Sequence, residues 1–189
     1  MINIIGGKFK KKKIQVPKED VRPTSAIKRE AIFSILESYA IKNEFDIYKN
    51  RCFIDLFSGS GSFGLEAISR GAGFVFFYEN NKKVIKILLE NCNKICKEDQ
   101  YIINHKNSTL IKDYKINFPL SAIFIDPPYR LNNFDSILQN IIKSKILNSR
   151  SIIIIETRKD NFIKTPNQIE LFKEKTYGNT KLVFFKKLR

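Results

Sequence analysis

The chain has 189 residues, 43% of them hydrophobic, 28% charged and 12% aromatic. That balance suits one globular domain with a sizeable core and excludes a disordered tail or a fibrous repeat. Thirty-four basic against 19 acidic side chains give a formal net charge of +15, which points to a polyanionic partner such as nucleic acid or an acidic membrane surface. Of the basic residues 26 are Lys and 8 are Arg, so compositional drift explains the surplus equally well, and charge alone names no activity. Cys52, Cys92 and Cys96 form no CxxC pair and have no neighbouring histidine, so neither a zinc site nor a disulfide framework is expected. Apolar runs such as residues 152–155 fall far short of the roughly 20 residues that span a bilayer. The opening Met-Ile-Asn-Ile-Ile-Gly-Gly lacks the pattern of a signal peptide. A cytoplasmic protein without metal or membrane attachment is expected, and the single His105, among polar neighbours, reads as a surface residue.

Residues 1–20 are expected to form a basic β-hairpin arm. Residues 2–5 are apolar, Gly6-Gly7 is a turn signal, and residues 8–16 mix Lys with Phe9, Ile14 and Val16 before Pro17 stops them. Residues 21–189 read as a second unit. After Arg22-Pro23 the spacing predicts a helix over 25–40, capped by Thr24, with Ile27, Ala31, Ile35 and Tyr39 on its apolar face. From residue 51 short runs rich in Ile, Val and Phe (52–57, 74–78, 101–103, 122–125, 152–155) alternate with segments long enough for crossover helices. Strands apolar on both sides imply helices on both faces and hence a parallel α/β sheet. Residues 169–176 and 180–186, separated by Tyr177-Gly178-Asn179, read as a closing antiparallel hairpin.

Residues 52–57 run into Ser58-Gly59-Ser60-Gly61-Ser62-Phe63-Gly64 and then a helical segment. Gly59, Gly61 and Gly64 satisfy GxGxxG in its strand-turn-helix setting, where the backbone must approach a nucleotide-like cofactor closely. Glu79, twenty residues after Gly59, ends the second strand where a carboxylate can accept from ribose hydroxyls. A dinucleotide and S-adenosylmethionine both present that ribose. Asp55, however, sits under the turn where a dinucleotide puts its pyrophosphate, and two like charges there repel. The cationic methyl donor is therefore favoured; Asp55 serving as a backbone brace is the alternative. At the end of the fourth strand stands Asp126-Pro127-Pro128-Tyr129. In an open α/β sheet strands one and four bring both motifs to one crevice. Tyr129 offers a stacking face, while Asp126 and the Pro127 carbonyl offer acceptors for an exocyclic amino group, a set suited to N-methylation of a nucleobase. Glu156, ending the fifth strand, reads either as a crevice residue or as an exposed terminus.

Residues 55–67, with Ser69-Arg70-Gly71-Ala72 and Asp126-Pro127-Pro128-Tyr129, resemble the RsmD family of bacterial ribosomal RNA methyltransferases. Ile5-Gly6-Gly7-Lys8, Pro17, Arg22-Pro23-Thr24 and Arg29-Glu30-Ala31-Ile32-Phe33 extend the resemblance over essentially the whole chain. It implies a class I Rossmann-like methyltransferase fold, with a mostly parallel seven-stranded sheet, that transfers methyl from S-adenosylmethionine to N2 of a guanine in 16S rRNA. By position Asp55, Ser58, Gly59, Gly61, Glu79, Asn107 and Ser108 bind the cofactor, and Asp126, Pro127, Pro128 and Tyr129 form the target pocket. Asn107-Ser108 stands where the family usually has Asp-Ala; an amide oxygen still accepts from the adenine amino group. Ala26-Ile27 replaces an acidic and then a basic residue. Lys8, Lys10, Lys11, Lys12, Lys13 and Arg22 are expected to contact RNA phosphates, a solvated lysine edge being the alternative. The implied partner is ribosomal RNA or the assembling small subunit, met by a monomer. A DNA amino methyltransferase and a nicotinamide-dependent oxidoreductase are the competing readings.

Overall fold

The computed structural model describes residues 1–17, 25–105, 118–128 and 133–188. Two short strands, β1 (Ile2–Asn3) and β2 (Lys13–Ile14), pair antiparallel, and helix α1 (Ala26–Lys42) follows. A seven-stranded sheet then forms from β3 (Cys52–Leu56), β4 (Phe74–Tyr78), β5 (Tyr101–Asn104), β6 (Leu120–Ile125), β7 (Ile152–Arg158), β8 (Ile169–Tyr177) and β9 (Thr180–Lys187) in the order β5-β4-β3-β6-β7-β9-β8. Its first five strands in this order are parallel, and β9 pairs antiparallel with both β7 and β8. Helices α2 (Ser62–Arg70), α3 (Lys82–Ile95) and α4 (Phe134–Lys143) cross between strands. This is the class I methyltransferase architecture expected from the sequence. Strand order reverses between β3 and β6, so loops leaving their carboxyl ends border one crevice.

The two-residue side-chain period of the strands divides the core. Phe53, Phe77, Phe124, Ile154 and Phe184 pack with Phe33 and Leu36 of α1, Phe63 of α2 and Leu88 of α3. Ile54, Phe76, Ile123, Ile153 and Phe185 pack on the other face with Ile137, Leu138 and Ile141 of α4. Burial on both faces accounts for the unbroken Ile152-Ile153-Ile154-Ile155 run.

Two local expectations are corrected. Ser25, not Thr24, caps α1, its hydroxyl accepting from the Lys28 N–H at 3.3 Å; Thr24 lies outside the described residues. The inward face of α1 carries Arg29, Ile32, Phe33, Ile35, Leu36, Tyr39 and Ala40, so the expected Ile35 and Tyr39 are in the core, whereas Ala31 is only half-buried and Ile27 is 71% exposed. Apolar residues populate two sides of this helix. The larger Phe33 and Leu36 win the core side, and the Arg29 guanidinium goes inward with them because it donates to the Asn3 carbonyl at 2.8 Å. Burial lowers the pKa of Arg29, while the neighbouring Glu66 carboxylate works the other way.

The opening residues pair over only two positions per strand because the chain between them runs out over α2. Ile5 and Gly6 donate their N–H groups to the Glu66 carboxylate at 2.8 and 2.7 Å, and Lys8 N–H donates to the Ser69 carbonyl at 2.7 Å. Gly7, at φ 73°, makes this approach feasible: a Cβ there would lie 1.8 Å from the Ser69 carbonyl oxygen. The fully buried Asn91 of α3 accepts from Gln15 N–H and donates to the Gln15 and Ser60 carbonyls, joining these residues to the glycine loop. Arg70 adds ion pairs to Glu30, Glu37 and Glu66, each at 2.9 Å, with its guanidinium over the Phe33 ring.

Gly64 sets how closely α2 lies on the sheet, since a Cβ there would fall 2.3 Å from Phe77 Cε1 and 2.7 Å from Val75 Cγ1. Gly64→Ala forces α2 off β4 and is expected to cost about 1–3 kcal/mol, read as a lower urea midpoint at unchanged slope. An unaltered midpoint would show that the contact is slack.

Candidate active site

Three carboxylates collect at the carboxyl ends of the parallel strands. Asp55 is the fourth residue of β3, Glu79 follows β4 and Asp126 follows β6. Asp55 pairs in register with Phe77 on one side and Phe124 on the other. The pleat therefore puts Glu79 and Asp126, two residues further along their strands, on the face that Asp55 occupies.

Each acid is tied to the glycine loop or lies against it. Asp55 is 2% exposed, and its Oδ2 accepts from Gly64 N–H, in the first turn of α2, at 3.0 Å. It is thus a brace between strand end and helix start. Burial, the largest influence, pushes the Asp55 carboxyl well above the ordinary value; the Gly64 N–H pulls it down, and the Asp126 and Glu79 charges add to the rise. Glu79 Oε2 accepts from Gly59 N–H at 3.0 Å, and its Oε1 accepts from Asn80 and Asn81 N–H at 2.9 and 2.8 Å. Ser58 pins the loop to β4: its hydroxyl donates to the Asp55 carbonyl at 2.6 Å and accepts from Tyr78 N–H at 2.8 Å. Gly61 is the N-cap of α2 and makes no side-chain capping bond. Pro127 is buried and Pro128 exposed, so the turn after β6 presents its backbone at the crevice rim.

Asp55, Ser58, Gly59, Gly61, Glu79, Asp126, Pro127 and Pro128 are thus brought together. Asn107, Ser108, Tyr129 and Arg22 lie outside the described residues. Lys8, Lys10, Lys11, Lys12 and Lys13 are exposed on the connection that crosses the far end of α2. The nine residues of that helix put Lys8, whose N–H donates to the Ser69 carbonyl, about 13 Å from the glycine loop at 1.5 Å per residue, whereas Lys13 stands two residues from Gln15, which Asn91 joins to Ser60. Lys8 and Lys12 hold their ammonium groups over the Phe9 ring, and Lys12 also donates to the Lys94 carbonyl. His105 is exposed. Among the described residues no cluster of three or more ligating side chains could hold a metal, and no helix is long and apolar enough to cross a membrane.

Sequence reasoning missed a second cationic group. Lys28 of α1, with Arg158 and Lys159 after the core of β7, lines a pocket of about 770 Å³ beside the β8–β9 turn. The available signal was position: Arg158-Lys159 follows an apolar strand at the sheet end where ligands bind. Glu156, left open between crevice and exposed terminus, is 6% exposed and ion-paired to Lys28.

The chemistry of the crevice discriminates between cofactors. A pyrophosphate on the α2 N-terminus would meet Asp55, already on the Gly64 amide, with two further carboxylates close by. A cation relieves their mutual repulsion, which argues against the dinucleotide.

Comparison with known proteins agrees. The profile of the family described as Conserved hypothetical protein 95 matches residues 2–186. Ribosomal RNA small subunit methyltransferase D of Haemophilus influenzae is 32% identical over 180 residues, covering 94% of this chain and 89% of the relative. Its namesake from Buchnera aphidicola subsp. Acyrthosiphon pisum is 35% identical over 175 residues, covering 92% and 87%. The chain belongs to the RsmD family. Among solved structures, that of yhhF from Escherichia coli, named for a methyltransferase, superposes with a TM-score of 0.81 at 26% identity, covering 98% of this chain and 97% of that one. RsmD-family membership and this architecture make the protein a methyltransferase.

The acid cluster carries a stability cost with a definite pH dependence. Because the folded state raises the pKa of Asp55, its stabilising contribution is complete below the ordinary carboxylate value of about 4 and is lost as pH rises through the raised value. Asp55→Asn keeps an oxygen for the Gly64 N–H and removes the buried charge. The ligand-free variant is expected to melt above the wild type at pH 7, with the difference shrinking toward pH 4; parallel melting curves across that range would contradict the account.

Proposed function

We propose that the protein transfers a methyl group from S-adenosylmethionine to the exocyclic N2 of a guanine in small-subunit ribosomal RNA. The observation that carries the reading is the meeting of the Asp126-Pro127-Pro128 turn with the glycine loop and its carboxylates across the β3/β6 switch point. The residues suit the donor. Asp55, beneath the glycine loop, supplies negative charge for a sulfonium and an ammonium. Glu79, held by three backbone N–H groups, keeps lone pairs for the ribose hydroxyls. When bound, S-adenosylmethionine supplies a methyl carbon on cationic sulfur.

The chain's own contribution is placement. An exocyclic amine is a weak nucleophile because its lone pair is delocalised into the ring. Asp126, accepting one N2 proton, and the Pro127 carbonyl, accepting the other, turn that lone pair out of conjugation and toward the methyl carbon. Positioning and fixed acceptors of this kind contribute several kcal/mol. Transfer of the donor's methyl to this nitrogen would leave it with a surplus proton, which Asp126 is placed to accept. Tyr129 stacks on the base after it has swung out of the RNA. The ribosomal substrate is supported by the names of the relatives, and the exposed lysines supply phosphate contacts.

Asp126→Ala is expected to lower methyl transfer at least 100-fold while calorimetric donor affinity stays nearly unchanged; near-normal turnover would displace the assigned pocket. Replacing Lys10, Lys11, Lys12 and Lys13 with Gln should weaken RNA binding and reduce the slope of log K against log salt by about 0.7–0.9 for each phosphate that is no longer neutralised. The same slope in both proteins would return these lysines to a structural role.

A further inference from the structure

We propose that Glu156 reads the N1–H of the target base and thereby selects guanine. The inference rests on the guanine-N2 reading above and adds a specificity residue to it.

Glu156 lies in β7 one position beyond Ile155, which pairs with Ile125, so it stands beside Asp126. The pleat puts both on the sheet face that carries Asp55, and adjacent strands are about 4.8 Å apart, a spacing suited to neighbouring donors on one base edge. Its two oxygens are used unequally. Oε1 receives the Lys28 ammonium, which also reaches the Thr180 hydroxyl at 3.5 Å. Oε2 is buried with no hydrogen-bond partner among the described residues. A lone ion pair tying α1 to β7 leaves that oxygen unexplained, because an unsatisfied buried acceptor costs free energy. Lys28 and Thr180, which bracket the carboxylate, also line the neighbouring pocket beside the β8–β9 turn.

The open acceptor matches guanine. Its N1–H and 2-amino group are adjacent donors on one edge, so Asp126 takes the amine and Glu156 takes N1–H. A base with a bare N1 lone pair meets the Glu156 carboxylate with repulsion instead. Lys28 fixes the polarity: with its ammonium on one side of residue 156, an acceptor must face Lys28, and the other position faces the base.

This polarity makes the test specific. In Glu156→Gln the amide oxygen faces Lys28, so the NH2 group stands where Oε2 was and donates to the base. Two RNAs are compared in single-turnover methylation: the ribosomal fragment in which the wild type's methylated guanine has been mapped, and the same fragment carrying 2-aminopurine there. 2-Aminopurine keeps the 2-amino group but has an N1 acceptor. The wild type is expected to prefer guanine by about tenfold or more, and Glu156→Gln to narrow that ratio at least tenfold or reverse it. Donor binding and melting temperature are measured on the same preparation. A wild type indifferent to the two bases overturns the proposal whether or not the variant folds. So does a variant whose ratio is unchanged, or one that binds donor but methylates neither RNA, since a purely structural pair lowers both rates together. A wild type that methylates no guanine in ribosomal RNA overturns the guanine-N2 reading itself.

Discussion

A single hydrogen bond, from the Gly64 N–H to the Asp55 carboxylate, joins the end of the central strand to the start of the helix that follows it. Everything the crevice presents depends on that junction. Because Asp55 holds the first turn of α2, the intervening loop has one course, which Ser58 then pins to β4 and Glu79 to the next turn. The carboxylate is 2% exposed, so it acts on the loop from beneath. Two of the site's acids, Asp55 and Glu79, thus take backbone amides as partners, with their remaining lone pairs left for a ligand.

That arrangement lets a chain of net charge +15 present an acidic site, as the cationic donor proposed above requires. Negative charge is concentrated under and beside the glycine loop, in a low-dielectric setting where it acts strongly. Positive charge is spread over solvated side chains, where it acts weakly on any one partner and collectively on a polyanion. A methyltransferase acting on nucleic acid needs both fields at once, one for the donor and one for the backbone of the acceptor. The acids gather at the ends of β3, β4 and β6, while most of the described lysines are exposed on helices, the closing hairpin and connections.

The parallel strands were legible because they are buried on both faces: a run such as Phe74-Val75-Phe76-Phe77-Tyr78 has no reading but a central strand. The two site motifs were legible for a related reason, since turn residues directly after such a run must lie at the sheet's carboxyl edge. The inward face of α1 was legible at Ile35 and Tyr39 but not at Ile27, because apolar residues stand on two sides of the helix and a buried arginine occupies one inward position. The anchoring of the opening residues was equally hidden. It runs through Glu66 and Asn91, polar side chains in helices whose partners are backbone groups sixty or more residues away. Glu156 was ambiguous because its burial is decided by α1 and β9, neither of which is adjacent to it in sequence.

The placement of β9 between β7 and β8 has a consequence for the order in which the crevice is completed. Thr180 is 152 residues from Lys28, among the most distant pairings in the chain, and such closures come late because their loop entropy must be met by structure already formed. The half of the crevice around Gly59, Glu79 and Asp126 needs only the parallel strands and their crossovers. The half around Lys28 and Glu156 needs the antiparallel hairpin laid against β7 as well. Closure of the half around Lys28 and Glu156 is therefore the later event, and a state in which β8 and β9 have peeled away would keep the glycine loop and its carboxylates while lacking Thr180 and the strand that flanks Glu156.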